Sequence, residues 1–256
     1  MRIARLEVGD RTSWARLVDD TTALRWTTAP WAGGSETDER VDLSESTLLV
    51  PVTPSKIVCV GRNYRAHAAE LGHEVPAEPL LFLKPPSALL AHGGVVEWPE
   101  QSERVDYEGE IAVVMGRTLH RATEADAAHA IFGLTCANDV TARDLQRKDV
   151  QFTRGKGFDT FCPCGPFIET EPPPLDALTL RTRVDGDVVQ QAVSSAMIWS
   201  IPALLAFISH VMRLEPGDLI LTGTPEGVAP LSPGSRVEVE VEGVGTLAHS
   251  IARTAS

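Results

Sequence analysis

Between Leu178 and Ile251 the chain is broken at short intervals by residues that favour turns: Asp185-Gly186-Asp187, Glu215-Pro216-Gly217-Asp218, Pro233-Gly234 and Gly243-Val244-Gly245. The stretches between them (178–184, 188–192, 219–222, 237–241 and 247–251) are short and largely apolar, with frequent β-branched residues. Such runs favour strands, and Asp-Gly-Asp between two of them is a hairpin signal. One apolar helix, 201–212, interrupts the series, with Pro202 in its first turn.

The same reading extends upstream. Residues 56–60 and 105–115 have the β-branched content of strands, 133–140 reads as loop or strand, and 125–131 as a helix. Residues 61–72 read as a short helical segment with Asn63 as N-cap and Gly72 as stop. At the start, Ile3, Leu6 and Val8 lead into a Gly9-Asp10 turn, and 14–18 can return as a hairpin. Residues 27–46 are polar and glycine-rich and read as connecting loop. Pro51 and Pro54 punctuate the entry to the main domain. The expected class is α+β but mainly β: a small N-terminal β-rich domain at 1–50, then one mixed β-rich domain at 51–256.

Composition narrows the partners. With 35 acidic against 23 basic residues the net charge is −12, whereas nucleic acid or an anionic membrane calls for a basic face. No apolar run approaches the ~20 residues that span a bilayer. The opening residues carry charges where a signal peptide needs an apolar stretch. Cys59, Cys136, Cys162 and Cys164 match neither a CxxC pair nor a zinc set, which fits reduced thiols. These readings place the protein in the cytoplasm and leave room for a small anionic substrate held by a few local cations.

Asp106-Tyr-Glu-Gly-Glu110 carries the most chemistry. On a strand, Glu108 and Glu110 project to one side, with Gly109 between them. Adjacent carboxylates repel and resist desolvation unless a cation lies between them, although most such pairs sit on a solvated strand face. Gly109 weakens a strand, which suggests a close approach to the backbone there. A second acidic segment, Cys136-Ala-Asn-Asp-Val-Thr-Ala-Arg-Asp144, contains Asp139, Arg143 and Asp144. Three carboxylates completed by water suit a hard ion such as Mg2+, Mn2+ or Ca2+ rather than zinc. Spacing alone does not bring Asp139 to the glutamate pair.

Taken together, the motifs resemble those of the fumarylacetoacetate hydrolase (FAH) family, in its branch of acylpyruvate hydrolases, decarboxylases and 2-hydroxyhepta-2,4-diene-1,7-dioate isomerases. The likeness spans 56–251. It rests on Val60-Gly-Arg-Asn-Tyr64 with His67 and Glu70, Phe82-Leu-Lys-Pro-Pro86, Asp106-Tyr-Glu-Gly-Glu110 and Asp139-Val-Thr-Ala-Arg-Asp144. Lys156-Gly-Phe-Asp159, Ser195-Ala-Met-Ile-Trp-Ser-Ile-Pro202 and the segment 216–228 come next, in the family's order. The resemblance implies a rolled mixed β-sheet, a small N-terminal domain and a homodimer. It implies that Glu108, Glu110 and Asp139 hold Mg2+ or Mn2+, that His67 and Glu70 form an acid–base dyad on a short lid helix, and that Lys156 is the active-site lysine. Thr224 matches a substrate-contacting loop, and Arg62, Asn63, Tyr64, Arg143 and Gln146 fall at positions near the ligand in relatives. In two departures, Ala229 stands where relatives commonly carry Gly, and His249-Ser250 replaces a common Asn-Pro, with no catalytic effect expected.

These residues suit chemistry on small α-keto acids. Cleaving the carbon skeleton of a 1,3-diketo acid such as fumarylpyruvate or acetylpyruvate leaves a pyruvate enolate that a divalent ion stabilises. Lys156 adds positive charge. On a helix, His67 and Glu70 are neighbours, so Glu70 can orient the imidazole and raise its basicity. The first expectation is therefore metal-dependent hydrolysis of an acylpyruvate. The second is a decarboxylase or isomerase of oxaloacetate or of hydroxyheptadienedioate-type intermediates in aromatic catabolism, which pass through the same enolate. A non-catalytic metal- or ligand-binding homologue would be expected to lose His67, Glu70 or Lys156, and this chain keeps all three.

Overall fold

The structure is a computed structural model and describes residues 1–70, 72 and 74–253. The N-terminal part is a run of strands, β1 (Arg2–Val8), β2 (Arg11–Leu17), β3 (Thr22–Trp26), β4 (Glu36–Asp42) and β5 (Thr47–Leu49). β1 and β2 form the hairpin read at Gly9-Asp10. β4 corrects the expectation of a connecting loop over 27–46. It is an edge strand, mostly exposed, so it needs no apolar periodicity, and Arg16–Glu36 and Arg25–Glu39 ion pairs hold it in place.

The central part comprises β6 (Ile57–Gly61), α1 (Arg65–Glu70), β7 (Leu80–Lys84), β8 (Leu89–Leu90), β9 (Val95–Trp98), β10 (Val105–Asp106) and β11 (Gly109–Met115). After these come α2 (Glu124–His129), β12 (Ile131–Asn138), β13 (Thr141–Ala142), α3 (Arg143–Asp149), α4 (Thr153–Lys156) and β14 (Cys162–Glu169). The strand read at 105–115 is thus broken at Tyr107 and Glu108. The helix expected over 125–131 stops at His129, and Ile131 already belongs to β12. Thr123 caps α2 through a reciprocal bond with Asp126. Asn63 does not cap α1. Its amide is spent on the backbone of Trp199 and Thr222 instead.

The last part holds β15 (Thr179–Val184) and β16 (Asp187–Val193), the hairpin read at Asp185-Gly186-Asp187. Beyond it lie α5 (Ile201–Val211), β17 (Leu219–Leu221), β18 (Arg236–Val241) and β19 (Gly245–Arg253). Among the described residues the strands form a twelve-stranded sheet, whose main path is β4-β3-β2-β1-β14-β12-β11-β17-β6-β7. A five-stranded sheet, β16-β15-β18-β19-β9, packs against its β11, β12 and β14. β11 is buried on both faces. Ile111, Val113 and Met115 enter the core shared with the smaller sheet, while Ala112 and Val114 face Ile57, Cys59, Leu219 and Leu221. Fully buried Asp218 ties the turn before β17 to the entry of β6, accepting bonds from Ser55, Lys56 and Glu215. All four cysteines are buried and free. No described helix is long and apolar enough to cross a membrane.

Candidate active site

Antiparallel pairing of β11 with β12 sets Gly109 opposite Asn138. That register brings Asp139, just past β12, to Glu108 and Glu110 at the start of β11, and the Asp139 N–H donates to Glu108 O at 2.8 Å. One carboxylate oxygen from each of the three lies within 4.8 Å of the others. All three side chains are buried. The close approach inferred at Gly109 is real, but its partner is the second sheet: a Cβ there would lie 2.0 Å from Thr182 Oγ1.

Cations crowd one side of this triad. Lys156 Nζ donates to Glu108 Oε2 at 2.8 Å and to Asp139 Oδ2 at 2.6 Å. Lys84 Nζ donates to Asp139 Oδ1 at 2.5 Å and to Val140 O at 3.0 Å. Arg143 pairs with Glu108, with Asp106 at 2.9 Å and with Gln146 Oε1 at 2.7 Å. Burial alone would raise the Glu108 carboxyl, but Lys156 and Arg143 overcome it and hold the group well below the usual carboxylate range. Glu110 has the opposite balance. Burial, then Asp139 and Glu108, push it well above its ordinary value, and the Gly223 N–H at 2.6 Å offsets only part of this. Burial also works against a charged Lys156, yet Asp139 and Glu108 raise it above its ordinary value and keep it protonated. An all-oxygen set with one carboxylate still under repulsion fits a hard divalent ion.

His67 of the dyad borders the same cavity as Glu108 and Asp139 of the triad. His67 is 4% exposed, and its Nδ1 faces Glu70 Oε2 at 3.4 Å. Glu70 in turn accepts the Gly227 N–H at 3.0 and 3.2 Å. Gly227 adopts a positive φ, and its carbonyl accepts a bond from Tyr107 Oη at 2.7 Å. Ala229 is not among the positive-φ residues, so the glycine common there in relatives is not needed for conformation.

A cavity of about 380 Å³ joins the two groups, lined by Arg62, His67, Glu108, Asp139, Arg143, Gln146, Lys156 and Thr224 together with the apolar Val60, Leu80, Phe82 and Phe152. Most residues singled out from sequence therefore converge here. Asn63 and Tyr64 do not line the cavity; both are buried, Asn63 as a backbone clamp and Tyr64 in a bridge to Met197. Two lining or supporting cations were not singled out. Lys84, a buried lysine ending an apolar strand, was visible only as part of Phe-Leu-Lys-Pro-Pro. Arg147, at the cavity rim, had no distinguishing local pattern.

Residues 56–252 match the family described as fumarylacetoacetate (FAA) hydrolase C-terminal, and the chain belongs to it. It is an enzyme of this family. Ahead of that match, residues 1–51 match a second family, described as Rv2993c-like, N-terminal. Protein Rv2993c of Mycobacterium tuberculosis is 43% identical over 99% of this chain and 98% of its own length. The oxaloacetate tautomerase YisK of Bacillus subtilis is 42% identical over 82% of this chain and 74% of its own. Among solved structures, a 5-carboxymethyl-2-hydroxymuconate delta-isomerase from Mycobacterium smegmatis superposes with a TM-score of 0.93. It is 39% identical and covers 99% of this chain and all of its own.

Proposed function

We propose that this protein is a divalent-metal-dependent tautomerase of a short α-keto diacid of the oxaloacetate type, moving one proton between carbon and oxygen. The observation that carries the reading is a base poised at a cationic, carboxylate-floored cavity: His67 beside Glu70, facing Glu108, Asp139 and Lys156. The tautomerase and isomerase names of its relatives favour this over hydrolysis of an acylpyruvate. Glu108, Glu110 and Asp139 would hold Mg2+ or Mn2+, which when bound supplies Lewis acidity to the keto oxygen and charge for the enolate.

The protein's own residues do the rest. Glu70 accepts a hydrogen bond from the His67 Nδ1–H, which leaves Nε2 free as the base that takes a proton from the substrate methylene. Lys156 and Arg143 stay charged and hold the carboxylate and the developing oxyanion. The protonated imidazole then returns its proton to that oxygen, completing the enol. Phe82, Phe152 and Leu80 exclude water from this face. Decarboxylation of oxaloacetate is the second reading, since loss of carbon dioxide would leave an enolate in the same cavity. The proposal includes a homodimer, as the family resemblance implies, a reducing cytoplasm, with which the free thiols agree, and no nucleic-acid partner, supported by the net charge of −12.

The test is a panel of oxaloacetate, acetylpyruvate and fumarylpyruvate with Mg2+, with Mn2+ and with chelator, monitoring enol absorbance and pyruvate release separately. Metal-dependent keto–enol exchange ahead of pyruvate release is expected. Faster cleavage of either acylpyruvate would restore the hydrolase reading.

A further inference from the structure

We propose that Gln190, on β16 of the five-stranded sheet, is a positioning residue that locks the metal-binding strand to the loop beneath the dyad. It is 2% exposed and does not line the cavity, so it acts through other residues. Both ends of its amide are used. Oε1 accepts the N–H of Gly109, the residue between Glu108 and Glu110, at 3.0 Å. Nε2 donates to Thr224 Oγ1 and to Pro225 O, each at 2.9 Å. Thr224 Oγ1 donates onward to Gly109 O at 2.9 Å, so side chains from β16 and the loop hold both polar groups of Gly109.

The same loop reaches both halves of the site. Gly223 donates its N–H to Glu110, and Gly227 donates its own to Glu70. The second sheet presses on the backbone at both places: a Cβ on Gly109 would meet Thr182 Oγ1 at 2.0 Å, and one on Gly227 would meet Val189 O at 2.2 Å. Triad and dyad thus take their separation from one platform, and Gln190 is its central joint. A primary amide is the side chain that accepts at one end and donates twice at the other. A carboxylate only accepts, and a thioether does little of either.

The inference rests on the metal assignment above and is tested on the full chain with Mn2+ as probe. Gln190→Met keeps the length and loses every bond. It is expected to unfold cooperatively, to bind Mn2+ roughly tenfold or more weakly, and to lose a similar factor in kcat on oxaloacetate, as when a residue behind a ligand is removed. Gln190→Glu keeps the acceptor for Gly109 and loses the donor toward Thr224 and Pro225. It is expected to hold Mn2+ within about threefold of wild type while kcat still falls by about tenfold.

A purely structural role would lower the melting temperature and leave the Mn2+ affinity and kcat of the folded fraction unchanged, and that result overturns the proposal. Should Gln190→Met fail to fold, Gln190→Glu carries the test, and wild-type kcat in it overturns the proposal equally. A wild-type protein that binds Mn2+ but leaves oxaloacetate untouched sinks the proposed function instead, and the Mn2+ affinities still decide on Gln190.

Discussion

The two walls of the cavity are built differently. The triad wall stands on β11 and β12, interior strands of the large sheet backed by the smaller one, and its carboxylates, lysines and arginine are nearly all below a tenth exposed. The dyad wall is α1, a helix of six residues with Arg65, Ala66, Ala69 and Glu70 exposed. A helix that short is marginal by itself. It is held by buried His67 and Ala68 and by the Glu70–Gly227 bond. Under the proposed function, the contrast makes ion binding and proton transfer separable: the rigid wall would set the charge, and the lighter wall would bring the base.

The largest effect that tests this division is expected from Glu108→Gln. The amide keeps the shape but leaves Lys156 and Arg143 short of a buried partner. Mn2+ affinity, read by titration calorimetry, should fall by more than the roughly 100-fold that bounds the loss of a supporting residue, and turnover should go with it. Stability should drop by about 3 kcal/mol, as for a broken buried pair. Wild-type turnover in this variant would remove the triad from the chemistry.

His67→Ala should cut turnover by roughly 10²–10⁴-fold, the range for a lost general base, while Mn2+ affinity stays near wild type. If both fall together, the two walls are one unit and the comparison fails. Glu70→Gln is milder, because the ring remains and only its orienting partner is weakened. A loss of about tenfold in kcat is expected, and an unchanged kcat would show that the Gly227 contact alone seats the helix.

How much of this was legible depends on where each signal resides. The β-rich class was local, written in the turns from Asp185 to Gly245, and so was the hairpin of β15 and β16. β4 was not, because a charged edge strand carries no apolar period. Glu108 and Glu110 announced themselves two residues apart. No local spacing tied Asp139 to them: the family resemblance implied it, and the β11–β12 register, across α2 and its connections, brings it there. Asn63 looked like a cap because its neighbourhood resembled a helix start, and tertiary partners claimed its amide. Gly109 signalled a close approach correctly, but a single residue does not say whether a ligand or another sheet approaches.

The smallest effect concerns His249, a departure from the family pattern for which no catalytic effect is expected. It is 2% exposed on β19 and supports the triad wall from behind. Its Nε2 accepts the Asn138 Nδ2–H at 2.8 Å, and Asn138 Oδ1 accepts the Glu108 N–H, also at 2.8 Å. Its Nδ1–H donates to Ser250 O at 3.2 Å. Burial pulls the imidazole from 6.5 to about 4, so the native protein keeps it neutral while the unfolded chain takes up a proton. The unfolded state binds more protons between those two values. The stability this group contributes is therefore complete above 6.5 and is lost as pH falls toward 4. Between pH 7 and pH 5 the loss is about 2 kcal/mol. His249→Asn removes the titrating ring, and any cavity it leaves weakens the protein equally at both pH values. Denaturant melts at pH 7 and pH 5 should show a difference smaller by about 2 kcal/mol in the variant than in the wild type. Equal differences would mean that the His249 ring is already solvated, and that the backing of the triad wall is looser than its buried contacts describe.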